Sequence, residues 1–254
     1  MKKQIYLLTC LLTLFSQVSY ARSWAQIQET GLIKIGVPAD YAPLAFYSPE
    51  GQLVGYDIDM ANQLGHALNL KVEFIQTSWP TLSEDLLADK FDVAMGGVTA
   101  TEKRAQQFAL SNPVVKNGKV ALANCNQAKK YPTLKTIDQS NVRVIVNPGG
   151  TNQSYVDQHI KQAHVIRTQD NFANLQGLRD QTADIMFTDL IEADYYQVKE
   201  PGILCLATPE VLDGTASHKV YMLSKDNTDL LRQINQWLRG PTKSNLAKKW
   251  QLSE

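Results

Sequence analysis

The chain has little of what marks several large function classes. It carries no basic excess: Lys+Arg and Asp+Glu number 25 each, for a formal net charge of +0. Nucleic-acid binders normally show a surplus of positive charge, so no nucleic-acid partner is expected. Cysteine is scarce at three, and the four histidines, His66, His159, His164 and His218, show no metal-ligand spacing. No metal site is expected. The sequence also lacks a G-x-S-x-G elbow, a phosphate-cradling P-loop and an H-E-x-x-H pair. Those absences remove the local signatures of ester hydrolysis, nucleotide hydrolysis and zinc proteolysis. No apolar run reaches membrane-spanning length, and no repeat or low-complexity tract stands out.

What is present is a globular composition: 254 residues, 44% of them hydrophobic. That is enough for one large domain or two modest lobes. The chain begins MKKQIYLLTCLLTLFSQVSYARS. Lys2 and Lys3 precede a short apolar run at 5–15, and Ser19 and Ala21 put small residues where signal peptidase reads them. The expectation is a secretory leader over 1–21, cleaved after Ala21, with delivery to the periplasm and no membrane attachment afterwards. Cleavage removes Cys10 and leaves Cys125 and Cys205. An even count in an oxidising compartment points to one disulfide, the alternative being two buried free thiols.

Along the mature chain, strand patterns alternate with helix patterns. LIKIGV (32–37), VEFIQ (72–76), FDVAM (91–95), and the segments 142–146, 164–167 and 185–187 read as strands. Between them, 56–68 is amphipathic, with Ile58, Ala61, Leu64 and Leu68 on one face, and 152–161 and 171–180 read as helices. Thr81-Leu82-Ser83-Glu84 reads as a capping box opening another. The strand 218–223 and the helix 230–238 follow. Such alternation predicts α/β layers with a mostly parallel sheet. Two blocks emerge, separated by polar stretches at 126–140 and 209–217. The expected organisation is a first lobe of 22–124 plus 214–254 and a second lobe of 125–213, with crossings near 124–128 and 209–217.

Candidate chemistry gathers at the ends of the strands, where ligands sit in open α/β sheets. Gly96-Gly97-Val98-Thr99-Ala100-Thr101-Glu102-Lys103-Arg104 follows one strand directly. Its glycines permit close backbone approach, its threonines stand where a helix begins with free amide donors, and Arg104 lies one turn in as a bidentate fork for a carboxylate. Asn147-Pro148-Gly149-Gly150-Thr151-Asn152 is a second turn of the same kind in the other block. Thr188-Asp189-Leu190-Ile191-Glu192 ends a third strand. Asp189 is either a ligand for an ammonium or a helix N-cap, and Glu192 is either a functional acid or a surface residue favourable to the helix dipole. Lys119 opens an apolar strand. Trp79, before Pro80, and Tyr41, in Asp40-Tyr41-Ala42-Pro43, stand ready to stack on a ring or to fill the core.

Taken together, IKIGVPADYAPLAFY, GYDIDMANQLG, FDVAMGGVTATEKR, FALSNPVV and ADIMFTDLIEA resemble the bacterial extracellular solute-binding proteins of family 3. The resemblance spans nearly all of the mature chain. It implies the type II periplasmic binding protein fold: two α/β lobes joined by a two-strand hinge, with a cleft for a small molecule between them. A narrower resemblance rests on Thr77-Ser78-Trp79-Pro80, Asn117-Gly118-Lys119, the 147–152 turn and the Thr188-Asp189 and Glu192 group. These are similar to the cyclohexadienyl dehydratases built on that fold. That likeness implies conversion of prephenate to phenylpyruvate, and of arogenate to phenylalanine, by loss of water and carbon dioxide without a cofactor. It implies Glu192 as general acid, Lys119 as a catalytic cleft lysine, Arg104 as carboxylate anchor, and Trp79 and Asn152 as cleft residues. Thr99, Thr151, Gly97, Asp189 and Tyr41 complete the expected ligand shell. The positions of Cys125 and Cys205 are also similar, which supports their pairing. The 96–104 turn is closer to the transport-binding pattern than to the dehydratase one, and residues 212–218 also differ from the dehydratase pattern. The alternative is therefore a non-catalytic amino-acid receptor of an ABC importer.

Overall fold

The computed structural model describes residues 21–252. All of the expected leader but Ala21 lies outside them. Two five-stranded sheets organise the molecule. In the first, Leu32–Val37 pairs in parallel with Lys71–Gln76 and Val93–Ala94, and the order closes through Met222–Ser224 to Phe108–Leu110. In the second, Arg143–Val146 pairs in parallel with His164–Arg167 and Ile185–Asp189, and the order closes through Lys119–Asn124 to Leu204–Leu206. Each sheet therefore holds two parallel and two antiparallel pairings. This corrects the mostly parallel expectation. The strands that break it, Lys119–Asn124 and Met222–Ser224, enter after the chain has changed lobes, so no crossover helix sets their direction.

Lys119–Asn124 also corrects the lobe boundary. The sequence reading put it in the first lobe, yet it is a central strand of the second sheet, buried at every position. A run this apolar is stable only between neighbours that cover both faces, and Ile185–Asp189 and Leu204–Leu206 supply them. The first crossing thus falls earlier than 124–128. It is the strand Val115–Asn117, which lies antiparallel to Ser217–Lys219 in a separate two-stranded ribbon. The segment 218–223, read as one strand, is two: Ser217–Lys219 belongs to this ribbon and Met222–Ser224 to the first sheet.

Helices cover the sheets as the periodicity requires. Tyr56–Leu68 buries Ile58, Met60, Ala61 and Leu64 against the first sheet, with Asn69 in the left-handed region ending it. The C-terminal helices Thr228–Trp237 and Thr242–Lys249 pack on the same lobe. The helix Leu82–Leu87 forms without the expected capping box: the Thr81 hydroxyl turns to Ser78, at 2.8 Å, instead of to the helix amides. Cys125 and Cys205 are bonded, S–S 2.04 Å, within the second lobe. Among the described residues, no helix is long and apolar enough to cross a membrane.

Candidate functional site

The C-terminal strand ends of both sheets face one another across the cleft. A cavity of about 20 Å³ remains there, lined by Tyr41, Trp79, Gly97, Thr99, Arg104 and Asp189 with the 147–152 turn and Asn171. That is room for about one water molecule, so a six-membered ring enters only if the lobes part.

At one end of the cleft, two ammoniums and a phenol hydroxyl surround Asp189. Its Oδ1 accepts from Lys119 Nζ at 2.7 Å, and its Oδ2 from Lys219 Nζ at 2.6 Å and from the Tyr41 hydroxyl at 2.7 Å. Burial alone would raise the Asp189 carboxyl, but the two ammoniums outweigh it and hold the group well below the usual carboxylate range. Asp189 stands at the start of the helix Leu190–Lys199, yet its side chain makes no capping bond. The N-cap reading fails because stronger, charged donors reach it. Lys119 also donates to Thr151 Oγ1, at 2.7 Å, and to Asn152 Oδ1, so the second glycine-rich turn grips this lysine. Arg104 gives one N–H to the carbonyl of Thr99 at 2.7 Å. Burial lowers its guanidinium to about 10, opposed by Asp189. It remains a cation with further donors turned to the cavity.

At the other end sits Glu192, fully buried on the first turn of its helix. Its carboxyl is held by the Thr188 hydroxyl and by Asn171 Nδ2, the latter at 2.5 Å. Burial pushes its pKa up to about 8. The two hydrogen bonds pull it back, and the negative charges of Asp189 and Asp40 push it further up. The surface reading of Glu192 is therefore wrong: an acid on this strand end is sealed, and at neutral pH it keeps its proton. Glu192 does not itself line the remaining cavity; Asn171 stands in front of it. The same Asn171 amide donates to the backbone carbonyl of Asp40 in the opposite lobe at 3.1 Å. Asp40 in turn takes the Trp79 indole N–H at 2.8 Å and the Asn171 backbone N–H at 3.2 Å. Its own carboxyl is raised to about 6, by burial above all. Trp79 is thus fixed by Asp40 and meets the edge of Tyr41, ring centres 6.0 Å apart.

The two glycine-rich turns are not alike. Gly96 and Gly97 were expected to offer backbone amides to a ligand. Both amides instead donate to the buried carboxylate of Asp57, at 2.9 Å each. Gly97 still lines the cavity, but its lack of a side chain serves Tyr41, whose ring lies 2.7 Å from where a Cβ would stand. In the other turn, Gly149 and Gly150 take φ of 77° and 72°, a region that favours glycine. Gly149 lies directly against the Trp79-Pro80 backbone of the facing lobe.

The structure therefore assembles every sequence-predicted site residue around one cleft: Tyr41, Trp79, Gly97, Thr99, Arg104, Lys119, Thr151, Asn152, Asp189 and Glu192. Sequence reading missed Asp40, Asp57, Asn171 and Lys219. Asn171 opens a helix directly after a strand, the same placement that drew attention to Asn152. Lys219 gave a fainter signal, a lysine in the apolar run HKVYML.

Comparison with known proteins accords with this arrangement. Residues 33–253 match the bacterial extracellular solute-binding proteins, family 3. The chain is 34% identical over 223 residues to a cyclohexadienyl dehydratase of Pseudomonas aeruginosa, with 88% of this chain and 82% of that protein covered. It is 25% identical over 230 residues to the L-cystine-binding protein TcyJ of Escherichia coli, with 89% and 84% covered. Among solved structures, an ancestral amino acid-binding protein described as a precursor of cyclohexadienyl dehydratase superposes with a TM-score of 0.81. Its identity is 29%, and 89% of this chain and 98% of that one are covered.

Proposed function

Because this chain belongs to the bacterial extracellular solute-binding proteins, family 3, we propose that it works the family's cleft as a catalyst, a periplasmic cyclohexadienyl dehydratase. The observation that carries the reading is the pair of unlike cleft ends: a buried carboxyl that keeps its proton at neutral pH beside a cluster of cations. A receptor has no use for a sealed acid, whereas a dehydratase needs one. The 34% identity to a protein of that activity supports the same choice.

In this reading the lobes open to admit prephenate and close on it. Arg104 and Lys119 hold its two carboxylates, and Trp79 and Tyr41 bracket its ring. Glu192 protonates the ring hydroxyl, which leaves as water. The ring carboxylate leaves as carbon dioxide, and the electron pair of the broken carbon–carbon bond completes the aromatic ring of phenylpyruvate. One proton is consumed per turnover, and Glu192 regains it from solvent when the lobes part. A carboxylic acid works as a proton donor near pH 7 only if its pKa is raised, and burial does this here. Lys119 orients the substrate and helps the leaving hydroxyl depart. Holding the departing carboxylate too tightly would stabilise the ground state more than the transition state. The Cys125–Cys205 bond fits an oxidising compartment such as the periplasm.

The purified mature protein, given prephenate, is expected to form phenylpyruvate, read by its enol absorbance in base. Absence of product, together with thermal stabilisation by a proteinogenic amino acid, would instead make it a transport receptor, like its 25%-identical L-cystine-binding relative.

A further inference from the structure

The proposed chemistry leaves one buried ion pair unused, that between Lys219 and Asp189. Lys219 is 2% exposed and comes from the hinge ribbon of the first lobe. Its ammonium donates to the Gly97 carbonyl at 3.0 Å, to Thr99 Oγ1 at 2.9 Å and to Asp189 Oδ2 at 2.6 Å, and it lies 4.9 Å from the centre of the Tyr41 ring. Its three donors are fully used inside the protein. Burial pulls the amine below its ordinary value, and the Asp189 carboxylate holds the proton on.

This pair decides what the cleft offers a ligand. Asp189 is the one carboxylate among the described residues that line the cavity. An incoming ammonium would need it as counter-ion, but Asp189 already carries two ammoniums and the Tyr41 hydroxyl. A third ammonium would meet Lys119 and Lys219 as like charges in a site with almost no water to screen them. The remaining acids give no substitute. Glu192 holds its proton, and both Asp40 oxygens are engaged by Trp79 and Asn171. Towards a carboxylate the cleft presents Arg104; towards an ammonium it presents no free anion.

We propose that Lys219 is a specificity-determining residue: by occupying Asp189 it removes the seat for an α-ammonium group, and the cleft selects an α-keto dicarboxylate over the α-amino dicarboxylate of the same skeleton. The inference rests on the dehydratase reading and sharpens it, since prephenate and arogenate differ at that one group. Among simple ligands, the same logic favours α-keto acids over amino acids.

The test compares kcat/KM for prephenate and arogenate in the wild-type protein, in Lys219→Met and in Lys219→Arg. That like-charge clash is expected to make the wild type prefer prephenate by about tenfold or more. Lys219→Met frees one Asp189 oxygen and should shrink that preference about fivefold or more, through a lower KM for arogenate; Lys219→Arg should keep it. Equal use of both substrates by the wild type overturns the proposal and leaves the dehydratase standing, as does an unchanged ratio in a folded Lys219→Met protein. If neither substrate turns over, the dehydratase reading falls. Calorimetric titration of the wild-type protein with each compound then still decides the selectivity: tighter binding of prephenate upholds it, and equal or tighter binding of arogenate ends it. That titration needs no variant, so it stands even if Lys219→Met fails to fold.

Discussion

The two ends of the cleft are made of the same functional group held in opposite states. Asp189 and Glu192 stand one helical turn apart, where one strand passes into one helix. Asp189 faces two ammoniums and stays ionised far below neutrality. Glu192 faces an amide and a hydroxyl, with Asp40 and Asp189 nearby, and holds its proton to about pH 8. Position along the chain does not separate them; the partners that reach them from other strands do. One end is suited to hold charge and the other to deliver a proton.

The sharpest way to break this contrast is to remove the proton. Glu192→Gln keeps the shape and the hydrogen-bonding partners but has nothing to donate, so kcat for prephenate should fall by roughly 10³-fold. Turnover within tenfold of the parent would take Glu192 out of the acid's role.

The same substitution should stabilise the fold. Glu192 has its folded pKa raised, from 4.5 to about 8, so the unfolded chain ionises first as pH rises. Its contribution to stability is then greatest below about pH 4.5 and drains away up to about pH 8. Glutamine escapes that loss. The variant should gain up to ~3 kcal/mol at pH 7 and nothing at pH 4.5. Denaturant titrations at the two pH values measure it, and an equal gain at both would show that burial of the acid is not the cause.

At the cationic end, Arg104→Lys keeps the charge and loses the planar fork. KM for prephenate should rise by about tenfold while kcat changes little. A fall in kcat with KM unchanged would mean that Arg104 acts on the transition state rather than as an anchor.

The smallest effect tests whether the carboxylates at the acid's end feel one another. With Glu192 as donor, activity should fall above about pH 8. Asp40→Asn removes one neighbouring negative charge, so the descending limb should move to lower pH by less than about one unit. A limb that stays in place would leave burial and Asp189 as the causes of the raised pKa.

Much of this was legible from the chain alone, for local reasons. Glu192, Asp189 and Arg104 are announced by strand ends followed by helix starts, and the helix Tyr56–Leu68 is written in its own periodicity. What was not legible depends on distant segments meeting. The placement of Lys119–Asn124 rests on pairing with strands reached only much later in the chain. Asp57 takes the Gly96 and Gly97 amides from a helix that reads as ordinary amphipathic surface. Asp40 and Asn171 touch across the cleft, and nothing in either neighbourhood names the other. Lys219 draws no notice until the hinge ribbon carries it to Asp189.

Gly149 has the last word on how far the jaws shut. A Cβ there would stand 2.5 Å from the backbone nitrogen of Pro80 and 2.6 Å from the carbonyl carbon of Trp79. Those atoms belong to main chain and cannot swing aside as a side-chain tip would. A single methyl at this point is a wedge between the lobes. It would hold them ajar and let solvent back to the buried acid without replacing any side chain that meets the substrate. The gauge that keeps Glu192 dry is thus one hydrogen atom on an α-carbon of the facing turn.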